Sequence, residues 1–212
     1  MHESSDLLPQ LQRAVRMGDA ARCVEILRDE ASLATAPSSR GGSLLLEAFE
    51  REEDAVAEAF LAVRNDRGIT ELDIHEASAM GRPAIVQKRL TDDPLVYEEV
   101  GPAGFLPLHR AAYRAHGDAV SLLLQMGAEP DARSSNGAAL TALHSAVAGA
   151  ARFGDPEGAY RRVVERLLAA GATPALEMEG GWSALRAAER DGLDGIVEVL
   201  TRSAGAHETR ED

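Results

Sequence analysis

The chain has 212 residues, of which 45% are hydrophobic but only 4% aromatic, and its formal charge is −13. That is enough apolar material for one or two packed domains, with a core drawn mostly from Leu, Val and Ala. No apolar run approaches the roughly 20 residues of a bilayer-spanning helix, the acidic balance repels phosphate backbones, and the single cysteine, Cys23, excludes an intramolecular disulfide.

The elements follow one template in chain order. An apolar anchor opens a short helix, a tight turn follows about seven residues later, and a second helix carries apolar residues on one stripe. Leu11 leads to Gly18, Cys23-Val24 and Ile26-Leu27. Leu45 leads to Glu52, Val56 and Phe60-Leu61, and Ile74-His75 to Gly81, Ile85-Val86 and Leu90. Leu108-His109 leads to Ala115-His116, Ala119-Val120, Leu123-Leu124 and Gly127-Ala128; Gly127 stands where the second helix should stop, free to take positive φ. Leu143-His144 leads to Val163-Val164, Leu167-Leu168 and Gly171-Ala172, and Leu185 to Gly192, Ile196-Val197 and Val199-Leu200. The anchors are spaced by 34, 29, 34, 35 and 42 residues, a unit of about 33 with one deletion and one insertion. Extended, turn-rich connectors such as Glu129-Pro130-Asp131-Ala132 and Ser134-Ser135-Asn136-Gly137 join the helical pairs.

The sharpest sign of the repeat is Leu106-Pro107-Leu108-His109-Arg110-Ala111-Ala112, which returns 35 residues later as Thr141-Ala142-Leu143-His144-Ser145-Ala146-Val147. With His116, Gly127-Ala128 and Gly171-Ala172 this resembles the ankyrin repeat, whose motif runs Thr-Pro-Leu-His-x-Ala-Ala, then Gly-His, then a Val/Leu-rich helix ending in Gly-Ala. The resemblance is strong over residues 104–204 and weaker before residue 72. Leu72 and Leu106 replace the motif's Thr, and Glu52 and Ala115 its turn Gly. It implies an all-α solenoid of about six helix-turn-helix units joined by hairpin loops, in a single domain over residues 1–206. The units fall at about 8–42, 43–71, 72–105, 106–140, 141–182 and 183–206, the outer two acting as caps. Residues 207–212 are expected to form a mobile tail. About nine extra residues, 151–159, fall between the helices of the fifth unit, where they are expected to form a loop on one face.

Few residues are left for chemistry. His75, His109 and His144 hold the same place in successive units, about 8–10 Å apart by helix packing, too far to share one metal. The resemblance makes them structural, each ring bonding nearby hydroxyl or backbone groups to fix the first turn. Cys23 aligns with the inward Val86 and Val120 and reads as a small apolar group. Glu50-Arg51-Glu52-Glu53-Asp54 lacks the turn and ligand alternation of a calcium loop and reads as a solvated turn. No phosphate loop, zinc motif or nucleophile elbow is present. The expectation is therefore no enzyme, no cofactor and no metal.

The candidate site is a binding face. Phe105, Leu140 and Trp182 each precede an anchor by three residues, a position that the resemblance places on the projecting hairpin facing the concave side. The resemblance places residues after each first helix's Ala pair on the same surface: Arg16 and Met17, Met80, Tyr113 and Arg114, Glu189 and Arg190. Tyr, Trp and Arg dominate interface centres. The expected function is recognition of a partner protein by a monomeric, cytoplasmic chain that binds neither nucleic acid nor membrane. The resemblance to bacterial ankyrin-type immunity proteins implies an inhibitor of a basic toxin, a partner the net charge would attract. A two-partner adaptor is the alternative, and an enzyme or metal-binding protein using residues 151–159 a third reading.

Overall fold

In a computed structural model of the chain, residues 4–208 are described, with side chains from 7 to 204. Part of the expected tail, residues 209–212, lies outside them. Among the described residues the fold is all-α: twelve α-helices, and no strand beyond isolated bridges between Pro37 and Ser43 and between Glu177 and Ser183. Contacts divide the chain into two compact units, Met1–Leu72 and Asp73–Asp212.

In the first unit, α1 (Ser4–Met17) pairs with α2 (Ala20–Asp29), and α3 (Leu44–Glu50) with α4 (Asp54–Asp66). Caps fix where they start: the Asp19 carboxylate accepts the Arg22 N–H at 3.0 Å, and the Ser43 hydroxyl oxygen accepts the Leu46 N–H at 3.0 Å. α1 packs on α3 and α2 on α4. Leu11, Val15, Cys23, Ile26, Leu27, Leu44, Leu45, Val56 and Phe60 are buried between them, each large aliphatic side chain contributing about 1.5–3 kcal/mol. The degenerate second repeat thus still forms its helix pair. Glu52 takes the turn position at φ +64, where the first repeat has Gly18 at φ +67.

The second unit holds four helix pairs: α5 (Ile74–Ala79) with α6 (Pro83–Asp92), α7 (Pro107–Tyr113) with α8 (Gly117–Gln125), α9 (Ala142–Phe153) with α10 (Ala159–Ala169), and α11 (Ala184–Arg190) with α12 (Asp194–Glu208). First helices touch first helices in the order α5, α7, α9, α11, and second helices touch in the order α6, α8, α10, α12, giving two layers. Ile74, Leu108, Leu143, Val120, Leu123, Val163, Leu167 and Leu200 are buried between the layers. Gly127 closes the α8 repeat at φ +103, as its position predicts.

The insertion departs from expectation. Residues 151–159 are not a loop: residues 151–153 complete α9, Pro156–Gly158 is a 3-10 turn, and Ala159 begins α10. The cause is local. Beyond Val147 the chain offers Ala148, Ala150, Ala151 and Arg152, strong helix formers, and no left-handed stop until Gly154 at φ +76. α9 therefore runs 12 residues against 7 in α7.

Candidate functional site

The histidines set the geometry of the site. In the fourth repeat the His109 Nδ1 accepts the Leu106 N–H at 3.3 Å, so its Nε2 carries the proton and donates to the Leu140 carbonyl at 2.8 Å. In the fifth, His144 Nδ1 accepts the Thr141 N–H at 3.2 Å, with the Thr141 hydroxyl 2.9 Å away, and Nε2 donates to the Trp182 carbonyl at 3.0 Å. Each ring thus ties the start of its own first helix to the next connector. Burial pushes both rings below the usual histidine pKa, partly offset by these carbonyl bonds, so they stay neutral.

His75 breaks this pattern. Neither of its ring nitrogens has a hydrogen bond, although the residue is 2% exposed. The position equivalent to Leu140 is Phe105, and its carbonyl is taken by the Gly101 N–H at 3.0 Å. The connector here coils through two 3-10 turns, Val96–Glu98 and Pro102–Gly104. Gly101 lies so close over the His75 ring that a Cβ would collide with it. The Glu99 carboxylate lies 3.6 Å from Nε2. Burial and then the Arg110 charge lower the His75 pKa to about 3. The sequence reading of His75 as a bonded structural histidine is thereby corrected.

The ladder residues are brought together. Adjacent connectors are joined by backbone bonds: Ser135 N–H to the Gly104 carbonyl at 2.9 Å, and Glu179 N–H to the Ala138 carbonyl at 2.9 Å. Phe105, Leu140 and Trp182 therefore stand on three linked turns, all half-buried. Phe105 lies 5.9 Å from the His109 ring, with the Arg110 guanidinium 6.0 Å from its centroid. Two guanidiniums flank Trp182, Arg186 at 5.1 Å and Arg190 at 5.4 Å. Arg190 is also paired with Asp191 through two 2.7 Å bonds, which raise the arginine pKa and lower that of the carboxyl.

A second cluster sits at the ends of α7 and α9. The Tyr113 ring meets Phe153 edge-on at 5.6 Å, and Arg114 lies 5.0 Å over the same Phe153 ring. Phe153 is on the added turn of α9 and is 38% exposed. The two helices close up because Gly149 faces the Tyr113 carbonyl, and the Tyr160 hydroxyl donates to that carbonyl at 2.9 Å. One repeat earlier His116 Nε2 donates to the Ala79 carbonyl at 2.9 Å, so Tyr160 does in the fifth repeat what His116 does in the fourth. Met80, just past α5, is half-buried, and Glu189 is exposed on α11. Arg16 and Met17, both exposed, end α1 in the first unit; Met17 is 74% exposed.

Sequence reasoning missed Phe153, Arg186 and Tyr160. Arg186 had a signal, since it follows Trp182 by four residues on the way into α11. Phe153 could have been noticed as one of only four phenylalanines; its partner depends on the unforeseen length of α9. Where α6, α8 and α10 begin, Gly81, Pro83, His116, Gly117, Arg162 and Arg166 are among the residues lining a cleft of about 380 Å³, and Arg166 is held there by Asp118 at 3.3 Å and Ser121 at 2.9 Å. Among the described residues, no three His, Cys, Asp or Glu side chains cluster as a metal site, and no helix is long and apolar enough to cross a membrane. Burial and the nearby Asp19 raise the Cys23 pKa to about 11, leaving an inert thiol.

Residues 108–160 match the family described as "Ankyrin repeats (many copies)". The chain is similar in structure to an ankyrin repeat domain from Acinetobacter baumannii AYE, with a TM-score of 0.53 and 23% identity, covering 92% of this chain and 97% of that one. The fold is the ankyrin-repeat fold. A second similar structure, the ankyrin repeat protein EF0377, gives a TM-score of 0.54 at 27% identity, covering 90% of this chain and 96% of the other. No curated protein matches the chain in sequence. The ankyrin-repeat fold has the two helix layers and the linked connectors described above.

Proposed function

We propose that this ankyrin-repeat chain is a non-catalytic recognition module that binds a partner protein on the first-helix layer and connector tips of residues 73–212. One observation carries the reading: His109 and His144 hold the carbonyls of Leu140 and Trp182, so the backbone that carries these two ladder residues is held in place before any partner arrives. A preformed surface avoids much of the ordering cost of association. Phe153 and Trp182, each with an arginine over its ring, and Tyr113, edge-on to Phe153, supply the aromatic and arginine side chains that anchor interfaces. Burying the face against a partner is compatible with a standard interface of about 1,600 Å² in total.

The finer reading is an inhibitor that occludes one partner, as an immunity protein would; a two-partner adaptor is its rival. The test is affinity capture from native lysate with wild-type protein and with the Tyr113→Ala/Trp182→Ala double variant. A partner retained equally by both refutes the face. Native mass spectrometry of the captured complex then separates the rivals: a binary complex supports an inhibitor, and a ternary one an adaptor.

A further inference from the structure

We infer that the segment recognised by this face is acidic: a short stretch of partner protein whose Asp or Glu carboxylates sit among apolar residues. The inference rests on the proposed binding face and concerns the chemistry of its occupant. The chain carries 35 acidic residues, one in about six, yet residues 100–117 and 132–154 contain none, where the average density would place about seven. Those two stretches hold α7, α9 and the connector between them, and α7 packs directly on α9. Of the four arginines there, Arg110 is buried and donates to the Pro102 carbonyl, while Arg114, Arg152 and Arg133, the last donating to the Ala139 and Glu177 carbonyls, reach the surface. The middle of the first-helix layer is therefore cationic in an otherwise anionic molecule.

Local charge governs the contact. At physiological ionic strength screening sets in over about 8 Å, so a docked segment feels the strip beneath it rather than the net −13. Arg114 rests its guanidinium over Phe153, and a guanidinium is the side-chain group whose planar shape matches a carboxylate. The strip is also bounded. Glu99, Asp118, Asp131 and Asp155 stand at its ends in sequence, and they repel a long polyanion such as nucleic acid while leaving room for a short acidic segment. This reverses the basic partner that net charge alone suggests.

The test is panning of a random 12-residue peptide library displayed on phage against the immobilised full chain. Peptides enriched in Asp and Glu are expected. Their synthetic copies, followed by fluorescence anisotropy, should bind at least tenfold more weakly to Arg114→Glu and to Arg152→Glu, and more weakly as salt rises. Arg152 is exposed, so its variant keeps the test decisive if Arg114→Glu fails to fold. Selected peptides that are basic or without charge bias overturn the inference, as does tight binding of a fluorescein-labelled single-stranded 20-mer that Arg152→Glu abolishes. Failure of the face itself looks different: the same peptides then bind Tyr113→Ala/Trp182→Ala as well as wild type. If no peptide is enriched, both readings fall.

Discussion

Lowering the pH from 7 to 5 tests the His75 geometry directly. The ring is buried without a hydrogen bond and its folded pKa is about 3, whereas in the unfolded chain it titrates near 6.5. The unfolded state therefore takes up a proton that the folded state refuses. The stabilisation is fully present above pH 6.5 and is lost as pH falls from there toward 3. Each pH unit in that window costs about 1.4 kcal/mol. Between pH 7 and 5 the loss from His75 is about 2 kcal/mol, and it reaches roughly 5 kcal/mol by pH 3. His109, His116 and His144 shift in the same direction, chiefly through burial, so the wild-type loss includes their share. Comparison with His75→Gln isolates the one ring. Urea unfolding followed by circular dichroism at pH 7 and pH 5 should show the variant losing about 2 kcal/mol less than wild type across the step. Equal losses in the two proteins would falsify the claim that His75 is held neutral by its surroundings.

Three further outcomes follow from the packing. Gly149→Ala drives a methyl group into the Tyr113 carbonyl, and the forced separation of α7 and α9 should cost about 1–3 kcal/mol in urea unfolding. Tyr160→Phe removes the hydroxyl that donates to the same carbonyl; a loss of about 1 kcal/mol is expected, and an unchanged midpoint would mean the bond contributes nothing. Cys23, buried with its pKa near 11, should resist Ellman's reagent in the native protein at pH 8 and react fully in urea.

How much of this was legible follows from what a repeat can encode. The anchors and their spacing located the helix pairs of the second unit, because apolar periodicity reports which side of a helix is buried. The same alignment separated His109 and His144 from metal chemistry and put Phe105, Leu140 and Trp182 at equivalent positions. It did not reveal that these two observations are one mechanism, with each histidine donating to the carbonyl of a ladder residue more than 30 positions away. Nor did it show that His75 loses its acceptor. That depends on how the connector folds between Val96 and Phe105, and the Gly101–Phe105 bond that decides it leaves no periodic trace. Phe153 was hidden for a similar reason: its ring reaches Tyr113 only because α9 continues through alanines that were read as a loop.

The departures from the repeat also account for what distinguishes this face. A regular array presents the same framework in every unit, since the histidine bonds and buried leucines serve the stack and carry no information about a partner. In the second unit the distinguishing chemistry lies where the framework is interrupted. The lengthened α9 supplies Phe153 as a platform for Arg114, and Tyr160 takes over the bond that His116 makes one repeat earlier, anchoring the start of α10 to α7. Replacing both Arg152 and Phe153 by alanine should therefore preserve the stack, because both side chains are exposed and the buried leucines, the turn into α10 and the His109 and His144 bonds are left in place. It removes the Phe153 platform together with Arg152. Peptides selected on the wild-type face should then bind at least tenfold more weakly, while the melting temperature stays within a few degrees. A collapse of stability instead would place the two side chains in the framework and not in the recognition surface.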